Sequence, residues 1–162
     1  MSEDITDGFP GLKSDSNFKI TSHKDFKYNC IAWAALYTDR WIWPPNTYEL
    51  DGVHYHWPSD IDKGDNIETF INLFQSFGYT VCDDCIMEEN YRKVALYKDP
   101  KTGNCTHASR QQRDGQWTSK LGREEDISHS SPYEIEGQNY GVVSCIMKKS
   151  GKYAHIDTLC TF

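Results

Sequence analysis

Cys30 and His107 are the two residues whose types and order could supply a nucleophile and its base. A thiol attacks as its thiolate, and an imidazole can take that proton near neutral pH and return it to a leaving group. Cys30 follows Asn29, a good helix N-cap, and opens the small or apolar run Ile31-Ala32-Trp33-Ala34-Ala35-Leu36-Tyr37. The sulfur is therefore expected in the first turn of a mostly buried helix, where the dipole favours thiolate. The same position also suits an inert core cysteine, the common fate of a free thiol. His107 stands at the head of a strand-like run, Thr106 to Gln112. A cysteine at a helix start followed by a histidine on a later strand is a papain-type layout.

A third group should orient the imidazole through its other nitrogen. If Arg113-Asp114-Gly115 is a tight hairpin, Ser109 lies opposite Ser119, and positions 107, 109, 111, 117, 119 and 121 share one face. Ser119 is then diagonal to His107 and is the favoured third member. Gln111, Asp126 and His129 are the alternatives.

The elements that must hold these residues are legible to different degrees. Residues 1–17 are polar, carry Gly8, Pro10 and Gly11, and read as a flexible arm; residues 18–162 read as a single domain. Trp41-Ile42-Trp43-Pro44-Pro45 and Tyr55-His56-Trp57-Pro58 form a proline-broken aromatic loop, either a lid on the core or a wall of a site. Asp65 and Glu68 suggest a capping box for a helix carrying Ile67, Phe70, Ile71, Phe74 and Phe77, with Gly78 as its stop. Strands follow at Tyr79 to Cys82, Val94 to Tyr97, Thr106 to Gln112, Gln116 to Leu121 and Tyr140 to Lys148, with a further one at Tyr153 to Leu159. Ser131-Pro132-Tyr133-Glu134 opens a short helix closed by Gly137. Two helices followed by an antiparallel meander make the fold class α+β.

Composition narrows the functional classes. The 162 residues make one ordinary domain, and 14% aromatic content, with five Trp and ten Tyr, argues against disorder. A net charge of −7 disfavours a nucleic-acid or anionic-membrane surface. No apolar run approaches a membrane span, and the acidic start MSEDITDGFP is unlike a signal peptide. The expected location is the cytoplasm, or outside by a dedicated export route. Without a secretory signal, the six cysteines point to reduced thiols rather than to a disulfide framework. Cys82-Asp83-Asp84-Cys85, even joined by Cys105 and His107, is weak as a zinc set, because Cys105 and His107 are too close for the usual second pair. Two aspartates between the thiols also disfavour a redox role. No metal or other cofactor is called for.

The segments NCIAWA, KVALYKD, THASRQ, GQWTSKLG, DISH and YGVV, in that order over roughly residues 28 to 148, resemble an uncharacterised bacterial domain family. That family runs NCIAWA, a Trp-Pro loop, GY-x-x-C, KVALY, THAARQ and W-x-SKLG. Its order of cysteine and histidine is similar to that of papain-like thiol hydrolases. By position the resemblance implies Cys30 as nucleophile and His107 as base; SKLG matches Ser119 to Gly122 without assigning a role. There is no papain-style glutamine shortly before Cys30, so the oxyanion would be met by the Cys30 backbone N–H and a neighbour.

The expectation is a papain-like α+β hydrolase of amide bonds, acting on a peptide or protein substrate through Cys30, His107 and Ser119. Trp33, Trp41, Trp43 and Trp57 would line the cleft. The alternative is a non-catalytic interaction module of the same fold, with the aromatic loop as its binding patch.

Overall fold

A computed structural model describes residues 2–44 and 55–151. In chain order it contains helix α1 (Ser2–Gly8), a 3-10 turn (Pro10–Ser14), β1 (Lys19–Ile20), α2 (Cys30–Ala34), β2 (Trp41–Ile42), β3 (Tyr55–His56) and α3 (Ile67–Ser76). Then come β4 (Thr80–Cys82), β5 (Tyr91–Lys98), β6 (Cys105–Gln111), β7 (Trp117–Lys120), β8 (Asp126–His129), a second 3-10 turn (Pro132–Ile135) and β9 (Val142–Ser150). Seven strands form one antiparallel sheet in the order β1-β8-β7-β6-β5-β9-β4, and β2 and β3 make a small parallel pair. The protein is thus α+β, built on an antiparallel sheet. Among the described residues no helix is long and apolar enough to cross a membrane. The expected strand at Tyr153 to Leu159 lies outside the described residues.

Both faces of the sheet are covered, so β5 is apolar on both sides from Val94 to Tyr97, while β6 and β7 bury polar side chains such as His107, Arg110 and Ser119. Val94, Leu96, Ala108 and Met147 pack with Ile31, Trp33, Phe70, Leu73 and Phe74 beneath α2 and α3. Their strand neighbours Ala95, Tyr97 and Ile146 enter a second core with Phe9, Leu12, Trp117, Ile127 and Ile135. Strand side chains point alternately to opposite faces, so one chain feeds both cores. Residues 1–17, expected as a flexible arm, carry α1 and the first 3-10 turn. Phe9 and Leu12 are buried there, because the second face of the sheet needs an apolar cover.

Local capping differs from expectation at α3. Asn66, not Asp65, is its N-cap, accepting the Thr69 N–H at 2.9 Å, while the Asp65 carbonyl accepts from the Cys105 N–H at 2.7 Å. At the other end Gly78 takes φ 98°, a conformation glycine adopts at little cost. Strand β8 was not anticipated. It pairs with β7, setting Ser119 beside Ile127 and Trp117 beside His129.

Asn29 holds α2 in place. Its side-chain oxygen accepts the Ala32 N–H and the Ile42 N–H, each at 3.1 Å, and its amide donates to the Ile42 carbonyl at 3.1 Å. The helix is only five residues long, ending before Leu36, which has φ 75°. Asn29→Ala removes the cap and leaves Ile42 unpaired, and it should cost about 3 kcal/mol in urea unfolding. A loss below about 1 kcal/mol would show that packing alone seats the helix.

Candidate functional site

Cys30 is the first residue of α2 and is buried against β6. The backbone N–H groups of Ala108, Ile31 and Cys30 itself and the positive charge of Lys120 act on its sulfur. These influences favour thiolate, but burial outweighs them and pushes the thiol up to about 11. The expected activation by the helix dipole is therefore overcome: one turn of helix cannot offset removal of the sulfur from water.

His107 lies on the other face of β6. It pairs with Tyr97, whereas Ala108 pairs with Leu96 in the α2-side core. The imidazole is fully buried, stacked on Tyr140 at a centroid separation of 3.9 Å and edge-on to Tyr97 at 5.1 Å. Neither ring nitrogen has a hydrogen-bond partner among the described residues, so no hydrogen bond joins it to Cys30. Burial, with a smaller contribution from His129, holds its pKa well below the ordinary value and keeps the ring neutral. Cys30 and His107 thus meet adjacent residues of β6, and the charge of Cys30 also reaches Tyr140, whose ring lies on the imidazole.

Ser119 shares the His107 face, and the pairing of Arg110 with Thr118 agrees with the expected hairpin register. Its hydroxyl nevertheless serves His129, with Oγ 2.8 Å from Nε2. His129 Nδ1 is 2.6 Å from the Ser131 carbonyl. A carbonyl only accepts, so the neutral ring carries its proton on Nδ1, and Ser119 donates to Nε2. Pairing of β6 with β7 ends at Arg110 and Thr118, so nothing holds Ser119 at the diagonal position next to His107. A strand over the DISH segment, with Ile127 opposite Ser119 and His129 opposite Trp117, was the missed signal that could have found this partner.

The tryptophans turn inward. Trp33 is buried, donates to Thr118 Oγ1 at 3.0 Å and lies under the Arg110 guanidinium at 3.9 Å. Trp43 and Trp57 pack on Phe70 with centroids 5.0 and 5.5 Å apart. Trp41 stacks on Tyr55 and donates to the Phe26 carbonyl at 2.7 Å. The part of the aromatic loop at 45–54 lies outside the described residues. Trp33 is part of the core, and the half-buried Trp43 and Trp57 pack against it.

Sequence reasoning assigned no role to Lys120, Tyr28 or Tyr140. Lys120 lies over the Tyr28 ring at 4.9 Å and donates to the Glu124 carbonyl; Tyr28 donates to Asp126 Oδ2 at 2.8 Å. This ionisable group sits on the Cys30 side. Tyr140 covers the His107 ring from a loop closed by reciprocal Gly137 and Gly141 hydrogen bonds. Among the described residues, Cys30, Cys82, Cys85, Cys105 and Cys145 are free, and no group of three or more His, Cys, Asp or Glu is placed to hold a metal ion.

These features define an α+β domain with a buried thiol and a buried neutral imidazole meeting one strand of an antiparallel sheet. The chain belongs to a family described as a domain of unknown function (DUF7689), matched over residues 19–148. No curated protein and no solved structure matches it.

The buried histidines make stability depend on pH. The unfolded chain protonates an imidazole around pH 6.5, whereas folded His129 is lowered to about 4 by burial. Between those values the unfolded state binds a proton that the folded state refuses. The His129 contribution is therefore complete above pH 6.5 and falls as pH drops toward 4. His107 acts in the same direction, while Asp126, its carboxyl raised by burial, acts oppositely. His129→Gln should reduce the loss of unfolding free energy between pH 7 and 5 by about 2 kcal/mol relative to wild type. Equal losses in both proteins, measured in urea, would refute this.

Proposed function

We propose that this protein is a thiol hydrolase of amide bonds with a papain-like pairing, in which Cys30 is the nucleophile and His107 the base, and that the described state is closed. The supporting observation is the pair of orphaned His107 nitrogens. A fully buried imidazole with neither nitrogen bonded lacks the partner that buried polar groups normally have, and catalytic use is one of the few explanations for such a group. It stands next in sequence to Ala108, whose N–H meets the Cys30 sulfur.

In this mechanism the Cys30 thiol adds to the amide carbonyl as His107 takes its proton. The C–N bond breaks as that proton passes to the departing nitrogen, leaving a thioester. Water, activated by the same imidazole, hydrolyses the thioester and restores the thiol. The N–H groups around the sulfur favour developing negative charge there. Attack requires the Tyr140 ring to leave the face of His107, since the two are stacked. Peptides, isopeptides and glutamine side chains all carry the required bond. The Ser119–His129 pair supports the same face of the sheet without touching the reacting atoms.

A second function has a specific observation in its favour: a thiol pushed up to about 11 is what an inert core cysteine shows, which suits a non-catalytic module. Site-resolved alkylation separates the two. Under the hydrolase assignment, a peptide-based electrophile should modify Cys30 faster than the half-exposed Cys82 and Cys85, and His107→Ala should slow this by about a hundredfold. Cys30 reacting no faster than Cys82, with no effect of His107→Ala, would leave the non-catalytic module.

A further inference from the structure

We propose that the cavity between the N-terminal turn and the 137–141 loop is a binding site for an alkylammonium group, such as a lysine side chain or a free aliphatic amine. The cavity has a volume of about 370 Å³, and its walls include Ile5, Phe9, Leu121, Glu125 and Tyr140. It lies on the second face of the sheet, where Phe9 and Tyr140 are 5.0 Å apart between centroids. Asn139 Nδ2 donates to the Gly8 carbonyl at 2.9 Å, tying the loop to α1 and fixing the mouth.

Glu125 gives the cavity its chemistry. It is 6% exposed, and among the described residues its carboxylate has no hydrogen-bond or ion-pair partner. Its backbone carbonyl accepts the Leu121 N–H at 3.0 Å, and it lines the cavity together with Leu121. Its oxygens are not among the buried polar atoms sealed without a partner, so they remain reachable through the opening.

A carboxylate set among apolar walls is matched best by a cation of suitable size. The neighbouring cations do not serve. Lys24 is paired with Glu124 at 3.0 Å on the rim. Lys120 is bonded to the Glu124 carbonyl and lies over the Tyr28 ring at 4.9 Å. Phe9, Tyr140, Ile5 and Leu121 offer apolar walls for the alkyl stem behind the charge. A carboxylate ligand would be repelled, and a neutral one would leave Glu125 unpaired. The inference does not depend on Cys30 chemistry, and its test involves none.

The full chain would be titrated with butylammonium chloride while the amide and methyl resonances of Ile5, Gly8 and Leu121 are followed by NMR, with 1-butanol and sodium butyrate as comparators. The expected result is saturable shifts with butylammonium, an affinity at least about tenfold weaker for butanol, and no saturation with butyrate. Glu125→Gln should weaken butylammonium binding at least about tenfold and leave butanol unchanged. If Glu125→Gln does not fold, Glu125→Asp provides the reading: the shorter carboxylate should bind butylammonium about threefold more weakly and leave butanol binding unaltered. Absence of saturable shifts, butanol binding as tightly as butylammonium, or unchanged affinity in the folded variant would overturn the proposal.

Discussion

The two-fold alternation of side chains along β6 governs the rest of this structure. Ala108 points to α2 and carries the N–H that meets the Cys30 sulfur; His107, one residue earlier, points to the core beneath the N-terminal turn. Because both faces of the sheet are covered, neither residue reaches open solvent. Thiol and imidazole therefore meet neighbouring residues of β6, with Tyr140 stacked on the imidazole and within electrostatic reach of the thiol. The end of β6–β7 pairing at Arg110 and Thr118 leaves the edge of β6 free there.

Burial sets the protonation states on both sides. On the α2 side it raises the Cys30 thiol against three N–H groups and a lysine charge; on the other it keeps His107 and His129 neutral. The resting pair is thus neutral thiol and neutral imidazole, not an ion pair. Opening to water would relieve desolvation at both residues at once, moving the thiol down and the imidazole up. Tyr140 links this behaviour to the neighbouring cavity, since its ring stacks on His107 and also lines the space beside Glu125.

Much of the scaffold was legible because its signals are local. The apolar spacing of Ile67, Phe70, Phe74 and Phe77 identified α3, and the Ser131–Glu134 capping box is present as expected. The Arg113-Asp114-Gly115 turn correctly gave the β6–β7 register. The family resemblance, carried by NCIAWA, THASRQ and SKLG, agrees with the matched span. The burial of residues 1–17 was hidden, because polar composition there masks Phe9 and Leu12, whose value lies only in the face they cover. Strand β8 was hidden too: four residues carry little periodicity until a partner strand is known.

By itself, the sequence determined which elements form: a capped cysteine helix, an amphipathic second helix and an antiparallel meander, each set by caps, turns and apolar spacing within a few residues. Only the tertiary structure decided who meets whom. Ser119 went to His129, Trp33 went to the core, and Glu125 was left facing a cavity, because these outcomes depend on distant segments competing for the same two faces of one sheet. Burial and pairing are properties of that packing, and no local window of residues contains them.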